Sequence, residues 1–261
     1  MTYLRLVWVF FRLSIMNELQ YRANFFVQIF QSLLGLGSAL AALGVVFAHT
    51  DTLAGWRPAE LLAVLGVYFL VGGLINLMIQ PSMQRFMEDV RQGTLDFALV
   101  KPEDLQLLIS VREIEIWKLV DVALGLGVLV VALVRMGFNV GPWQALAFGI
   151  ALLAGAAIVY SFWLILSTLS FWFVRMFNIL VVFQSMYEAG RWPVSIYPQW
   201  LRWSLTVVVP VAFATTVPAQ ALAGRLTWQA LLGAVTFAVT LLVASRWFWK
   251  VGLRHYSGAS A

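Results

Sequence analysis

Residues 81–104 read PSMQRFMEDVRQGTLDFALVKPED, a charged island between two apolar segments that are each long enough to cross a bilayer. Met83, Phe86, Met87 and Val90 fall at helical spacing and form one apolar stripe, with Arg85, Glu88, Asp89 and Arg91 on the other faces. The pattern predicts a short surface helix ended by Gly93 in a left-handed conformation. After it, Thr94 is expected to cap a turn holding Leu95, Asp96 and Phe97. Lys101-Pro102 stops that turn, because the residue before a proline is pushed out of the helical region. Pro102 then suits the first position of a new helix, with Glu103 and Asp104 in its first turn. Two readings follow: an ordinary solvated loop, or a docking element on which a soluble partner pushes.

Composition sets the class around this island. Of 261 residues, 62% are hydrophobic and 11% charged, and long runs carry no charge. That excludes a soluble globular domain and leaves an all-α polytopic membrane protein with about six spans of roughly 20 residues each. A separate soluble domain has no room. With no cysteine, disulfides, thiolate catalysis and cysteine metal sites are excluded. Charges this sparse make a poor case for nucleic acid, although the net charge is +5.

Residues 1–22 carry Arg5, Arg12 and Arg22 beside a stripe of Leu4, Trp8, Phe11, Ile15 and Leu19, which predicts an interfacial helix. Arg12 interrupts any signal-peptide core. Spans are expected at 24–47, 61–79, 116–134, 145–166, 171–189 and 228–247. The second ends at Gln80-Pro81. The third carries Lys118 and Asp121, which share a helical face and form a candidate intramembrane ion pair or a structural pair near the membrane edge. Between the fifth and sixth spans, 191–224 holds Pro193, Pro198, Pro210 and Pro218. Four prolines argue against a straight span and for a broken, re-entrant hairpin.

Basic residues set the orientation. With both termini inside, twelve of the seventeen lie in inner segments, and the outer ones are Arg57, Arg135, Arg191, Arg202 and Arg225. The island is then cytoplasmic. No Gly-Lys-Ser or Gly-Lys-Thr occurs, so a phosphate loop is missing. His49 and His255 sit at opposite faces and cannot share a metal, and no catalytic constellation converges. Asn76, Ser161, Ser167, Thr168, Asn178, Gln184 and Ser185 are polar groups within spans that either line a path or bond between helices.

The runs RQGTLDFALVKPED, RWPVSIYPQWLRWSLTVVVPVAFATTVPAQALAG and GLRHYSGASA together resemble the permease subunits of bacterial ATP-binding-cassette (ABC) exporters of the type-2 class. The likeness is to the small six-span branch with Gly-Thr-Leu-Asp and Lys-Pro after its second span. It implies that Met83, Arg85, Phe86, Met87, Glu88, Val90, Arg91, Gly93, Asp96 and Lys101 belong to a coupling helix that seats in a cleft of the ATPase. It also implies an outer re-entrant hairpin, a second six-span permease (the same chain or a related one), and separate ATPase subunits in which ATP and magnesium are bound. The resemblance places the chain in a bacterial inner membrane, without a catalytic site, metal or cofactor of its own. A secondary transporter or a membrane scaffold without an ATPase partner is the alternative; the first would need an ion relay at the midplane, where these spans lack carboxylates.

The absence of cysteine makes the topology testable. Single cysteines at Gln92 and Ser257 will react only once the inner face is opened, whereas those at Thr52, Asn139 and Gln199 will react from outside; outside reaction at Gln92 overturns the orientation.

Overall fold

The structure is a computed structural model that describes residues 8–12, 14, 16, 22–137, 140–173 and 177–256. It is helical, and its described residues contain no strand beyond an isolated bridge between Leu53 and Trp56. Of the expected interfacial helix, Trp8–Arg12 is helical, and the Trp8 and Phe11 rings stack at 6.0 Å. Leu4, Arg5, Ile15, Leu19, Asn139, Arg175 and the tail from Ser257 lie outside the described residues, as does the side chain of Asn178.

The elements are α1 (Arg22–Phe47), α2 (Pro58–Leu74), α3 (Gln80–Gln92), α4 (Asp96–Leu99), α5 (Leu105–Ser110), α6 (Leu119–Arg135) and α7 (Pro142–Thr168). After them come α8 (Phe177–Glu188), α9 (Gln199–Trp203), α10 (Val211–Ala214), α11 (Thr216–Leu222) and α12 (Trp228–Arg254). Among the described residues, five helices are long and apolar enough to cross a membrane, and the bent pair Gln199–Val208 and Val211–Leu222 makes a sixth if it is one span. The protein is therefore an all-α, multi-pass membrane protein. The expected fifth span is represented by α8, with 174–176 outside the described residues.

α2 is the central helix. Every residue from Glu60 to Gly73 is buried, as suits a helix that is apolar all round. It does not stop at Gln80-Pro81, contrary to the sequence expectation, but runs on to Gln92 through one π-helical turn at Ile75–Ile79. The reason is a backbone exchange. Proline donates no N–H, so the carbonyl of Leu77, four residues back, loses its helical partner. The ladder slips there, with the Gln80 N–H donating to Ile75 O, and the Glu115 N–H donates to Leu77 O at 2.8 Å. A proline that would break an isolated helix is thereby absorbed.

Prolines act differently in the segment after α8. Trp192, Tyr197 and Val209, each preceding a proline, are extended, as the crowding by the proline ring requires. The bend between the two arms is 73° and falls at Val209-Pro210. Pro218 lies inside α11, and the helix breaks before it at Thr215, where φ is −122° and ψ −56°. Both ends of the segment meet Trp56: its Nε1–H donates to Ser195 Oγ at 3.0 Å, and the Arg225 guanidinium lies 5.1 Å above its ring. Arg225 also pairs with Glu60 at 2.8 Å and donates to Gly55 O. Entry and return thus sit at one end of α2.

α2 packs against α6 and α7 against α12. Glycines make the first contact close. A Cβ on Gly125 would come within 2.8 Å of Leu70 Cα and 2.9 Å of Gly66 O, which are backbone atoms that cannot yield. Gly125→Ala will lower stability by about 1 to 3 kcal/mol through overpacking, measured as a lower Tm in detergent. Gly127→Ala, whose Cβ meets nothing within 4 Å, will leave Tm unchanged.

Candidate functional site

The island is where the longest helix leaves the packed bundle. Its apolar stripe was expected to enter a partner's cleft; the structure instead turns it inward. Met83, Phe86 and Met87 are buried within the chain, and Val90 is half-buried. The Phe86 ring sits 5.5 Å from that of Phe171 and 5.1 Å from that of Trp249, so α3 is wedged against the C-terminal ends of α7 and α12. Met83 Sδ accepts from Ser167 Oγ at 3.2 Å. Helical spacing reports that a stripe is buried but not against what, and here the cover is the chain's own.

The charges divide likewise. Arg85 is half-exposed and reaches Asp89 at 3.5 Å, and Glu88 pairs with Arg91 at 2.6 Å on the outer face. Asp89 is buried, and its carboxylate takes Arg112 and, at 3.0 Å, the Thr94 hydroxyl. Thr94 is thus turned back on α3 and does not cap the next turn as expected. Gly93 closes α3 with φ 70° and ψ 13°, the left-handed geometry its position demands. The next helix begins at Leu105, later than the Pro102 start expected, because Asp104 is extended and its side chain accepts from the Leu107 N–H.

Asp104 is held in turn from α12. Arg246 grips it with both guanidinium nitrogens and donates to Gln106 Oε1 at 2.6 Å. The Gln106 amide reaches the Tyr160 hydroxyl at 3.1 Å, and Ser110 Oγ lies 2.8 Å from the same oxygen. Hydrogen bonding from Arg246 holds the Asp104 carboxyl below its usual range. Ser82 Oγ adds a bond to Glu113 O at 2.9 Å.

What this frame presents outward is α4 and the residues after it. Leu95 and Ala98 are buried, whereas Phe97 is 75% exposed, Val100 83% and Leu99 40%. Lys101 and Pro102 are exposed beside them, and Asp96 is half-buried. From its sequence position Phe97 is expected only as part of a turn. An apolar residue out of register with the buried stripe was the available signal.

A family model described as ABC-2 family transporter protein matches residues 33–260. The chain belongs to the ABC-2 transporter family. As such it is a membrane component of an ABC transporter, a class that works with an ABC ATPase. No curated protein and no solved structure matches it.

The remaining candidates lie deeper. Lys118 Nζ and Asp121 Oδ2 are 3.6 Å apart and line a cavity of about 210 Å³ together with Asn76 and Gln184. Arg191 lines it too, its guanidinium 5.5 Å above the Tyr68 ring. Arg191 thus stands beside Tyr68, ten residues along α2 from Pro58. Ser161, Thr168 and Ser185 donate to carbonyls four residues back, within their own helices. Pro193, Pro198, Pro210 and Pro218 shape the bent segment.

Because Phe86 holds three helices together, Phe86→Ala will cost about 3 to 5 kcal/mol of stability. The check is Tm in detergent; Phe86→Leu will recover most of the loss. A Phe86→Ala protein with unchanged Tm would return the stripe to a role outside the chain.

Proposed function

We propose that this permease forms half of the translocation path of an ATP-driven exporter and receives the stroke of a separate ATPase through Phe97, Leu99 and Val100. The observation that carries this is the exposure of Phe97 and Val100 on a turn whose Leu95 and Ala98 are locked inside. Apolar side chains on a surface otherwise rich in charge mark a contact. Arg85, Arg91 and Lys101 are exposed on the same island and would set register and approach more than affinity. Leu95 and the Asp89–Thr94–Arg112 cluster tie the turn to α3, so a push on it moves the helix.

The family supports an ABC ATPase as occupant, and ATP and magnesium would be bound there, since this chain carries no phosphate loop. A second permease, the same chain or a related one, completes the path. The proposed setting is a bacterial inner membrane with both termini cytoplasmic, which puts the island inside. The bent segment 191–224 is then an outer re-entrant hairpin, a reading supported by its two ends meeting at Trp56.

Covering Phe97 and Val100 in a cleft contributes on the order of 1 to 2 kcal/mol each. Phe97→Asp combined with Val100→Asp will therefore weaken capture of the co-expressed ATPase by about ten- to a hundredfold or more, and transport-coupled hydrolysis will fall with it. Tm of the permease alone will not change. Wild-type ATPase capture by the double variant overturns the assignment.

A further inference from the structure

The last helix, α12, shows one face to its own chain and another outward. Leu231, Ala234, Ala238, Ser245 and Trp249 are buried. On the other side Leu232, Thr236, Val239 and Val243 fall at helical spacing and are all exposed. Within a bilayer, exposed polar groups that demand a protein or aqueous cover are Gln184 and Glu188 on α8, and they leave the outward stripe of α12 to the acyl chains.

That stripe continues, at the same spacing, into Trp247, Lys250 and Arg254. Trp247 is 66% exposed. Near it, Trp172 stacks on Phe248 at 5.5 Å and meets His255 at 5.3 Å. Indole rings settle at the level of the lipid headgroups, and this sets the depth of the helix end. From Trp247, Lys250 lies about 5 Å and Arg254 about 10 Å further along the axis. The headgroup zone on each side of the hydrocarbon is about 5 to 8 Å deep, and long basic side chains reach back to it.

Pairing separates these two cations from their neighbour. Arg246 is taken by Asp104, whereas Lys250 and Arg254 are exposed and no side chain among the described residues pairs with either. Residues four apart on a helix stand close enough for one phosphodiester to meet both. A headgroup with a net negative charge answers them, while a zwitterionic one brings its own cation and loses most of the attraction. We infer that Lys250 and Arg254, with Trp247 beside them at the edge of the hydrocarbon, form a binding site for the headgroup of an anionic glycerophospholipid.

Native mass spectrometry of the purified full chain in detergent, titrated with phosphatidylglycerol or phosphatidylcholine, reads the Kd of the first lipid bound. Each cation facing an anionic headgroup is worth about fivefold. Lys250→Gln combined with Arg254→Gln will therefore weaken phosphatidylglycerol binding about tenfold or more, with phosphatidylcholine binding and the lipid-free Tm unchanged. Arg57→Gln with Arg135→Gln removes as many exposed cations at the opposite end of the helices and will keep wild-type binding. Inorganic phosphate at millimolar concentration will not displace the lipid, since it has no acyl chains to lay along the stripe. The proposal is overturned if phosphatidylglycerol binds no more tightly than phosphatidylcholine, if the Lys250 and Arg254 variant binds as wild type, if the Arg57 and Arg135 variant loses as much, or if phosphate competes. Weaker capture of the co-expressed ATPase with unchanged lipid binding would assign the two cations to a protein contact and overturns it as well.

Discussion

A proline sits where the longest helix passes out of the apolar layer, and the missing N–H at Pro81 must be answered somewhere. In a bilayer an unpaired carbonyl costs far more than in water, so a break would have to be sealed by protein. Here the Glu115 N–H seals it, donating to Leu77 O at 2.8 Å. That single bond draws the start of the next span against the π-helical turn, and Ser82 Oγ on Glu113 O lies beside it. The helix then continues as one body, carrying Phe86 to Phe171 and Trp249 and Asp89 to Arg112. The ends of several helices are organised around a residue that, read alone, ends one.

Magnitudes decide which of these contacts matters. Phe86 buries a whole aromatic ring between two others, which is worth several kcal/mol. The exposed Glu88–Arg91 pair is screened by solvent, so it orients the surface and holds little together. Asp89 is the opposite case. Its carboxylate is buried, and removal of Arg112 would leave a charge that cannot be hydrated, which makes the cluster costly to disturb even though its net stabilisation is small. The turn that presents Phe97 is therefore backed by groups that resist movement relative to α3.

Much of this was legible in the residues, and the failures have a common cause. The apolar runs, the left-handed Gly93, the proximity of Lys118 to Asp121 and the irregularity of 191–224 are local properties, and spacing or φ preference reports them directly. The fate of Pro81 depends on Glu115, which no local rule connects to it. The Met83–Phe86–Met87 stripe announces burial, but the identity of its cover lies in Phe171 and Trp249, far along the chain. The place of Arg191 over the Tyr68 ring goes with the stacking of Tyr187 on Tyr68, 5.0 Å apart, a pairing that no local spacing reports. The cavity is less legible still, since Gln80, Trp163 and Arg191 share no spacing that a sequence reader could notice.

The unbroken run from Pro58 to Gln92 spans 35 residues. At 1.5 Å per residue it is a rod of about 50 Å, and a rod transmits tilt without loss. A rotation of about five degrees about its midpoint would carry each end by roughly 2 Å. One end bears the island; beyond the other lies Trp56, on which both feet of the proline-bent segment rest. That rod crosses its neighbour where Gly66 and Gly125 bring two backbones together, and the slipped turn Ile75–Ile79 lies between this crossing and the island.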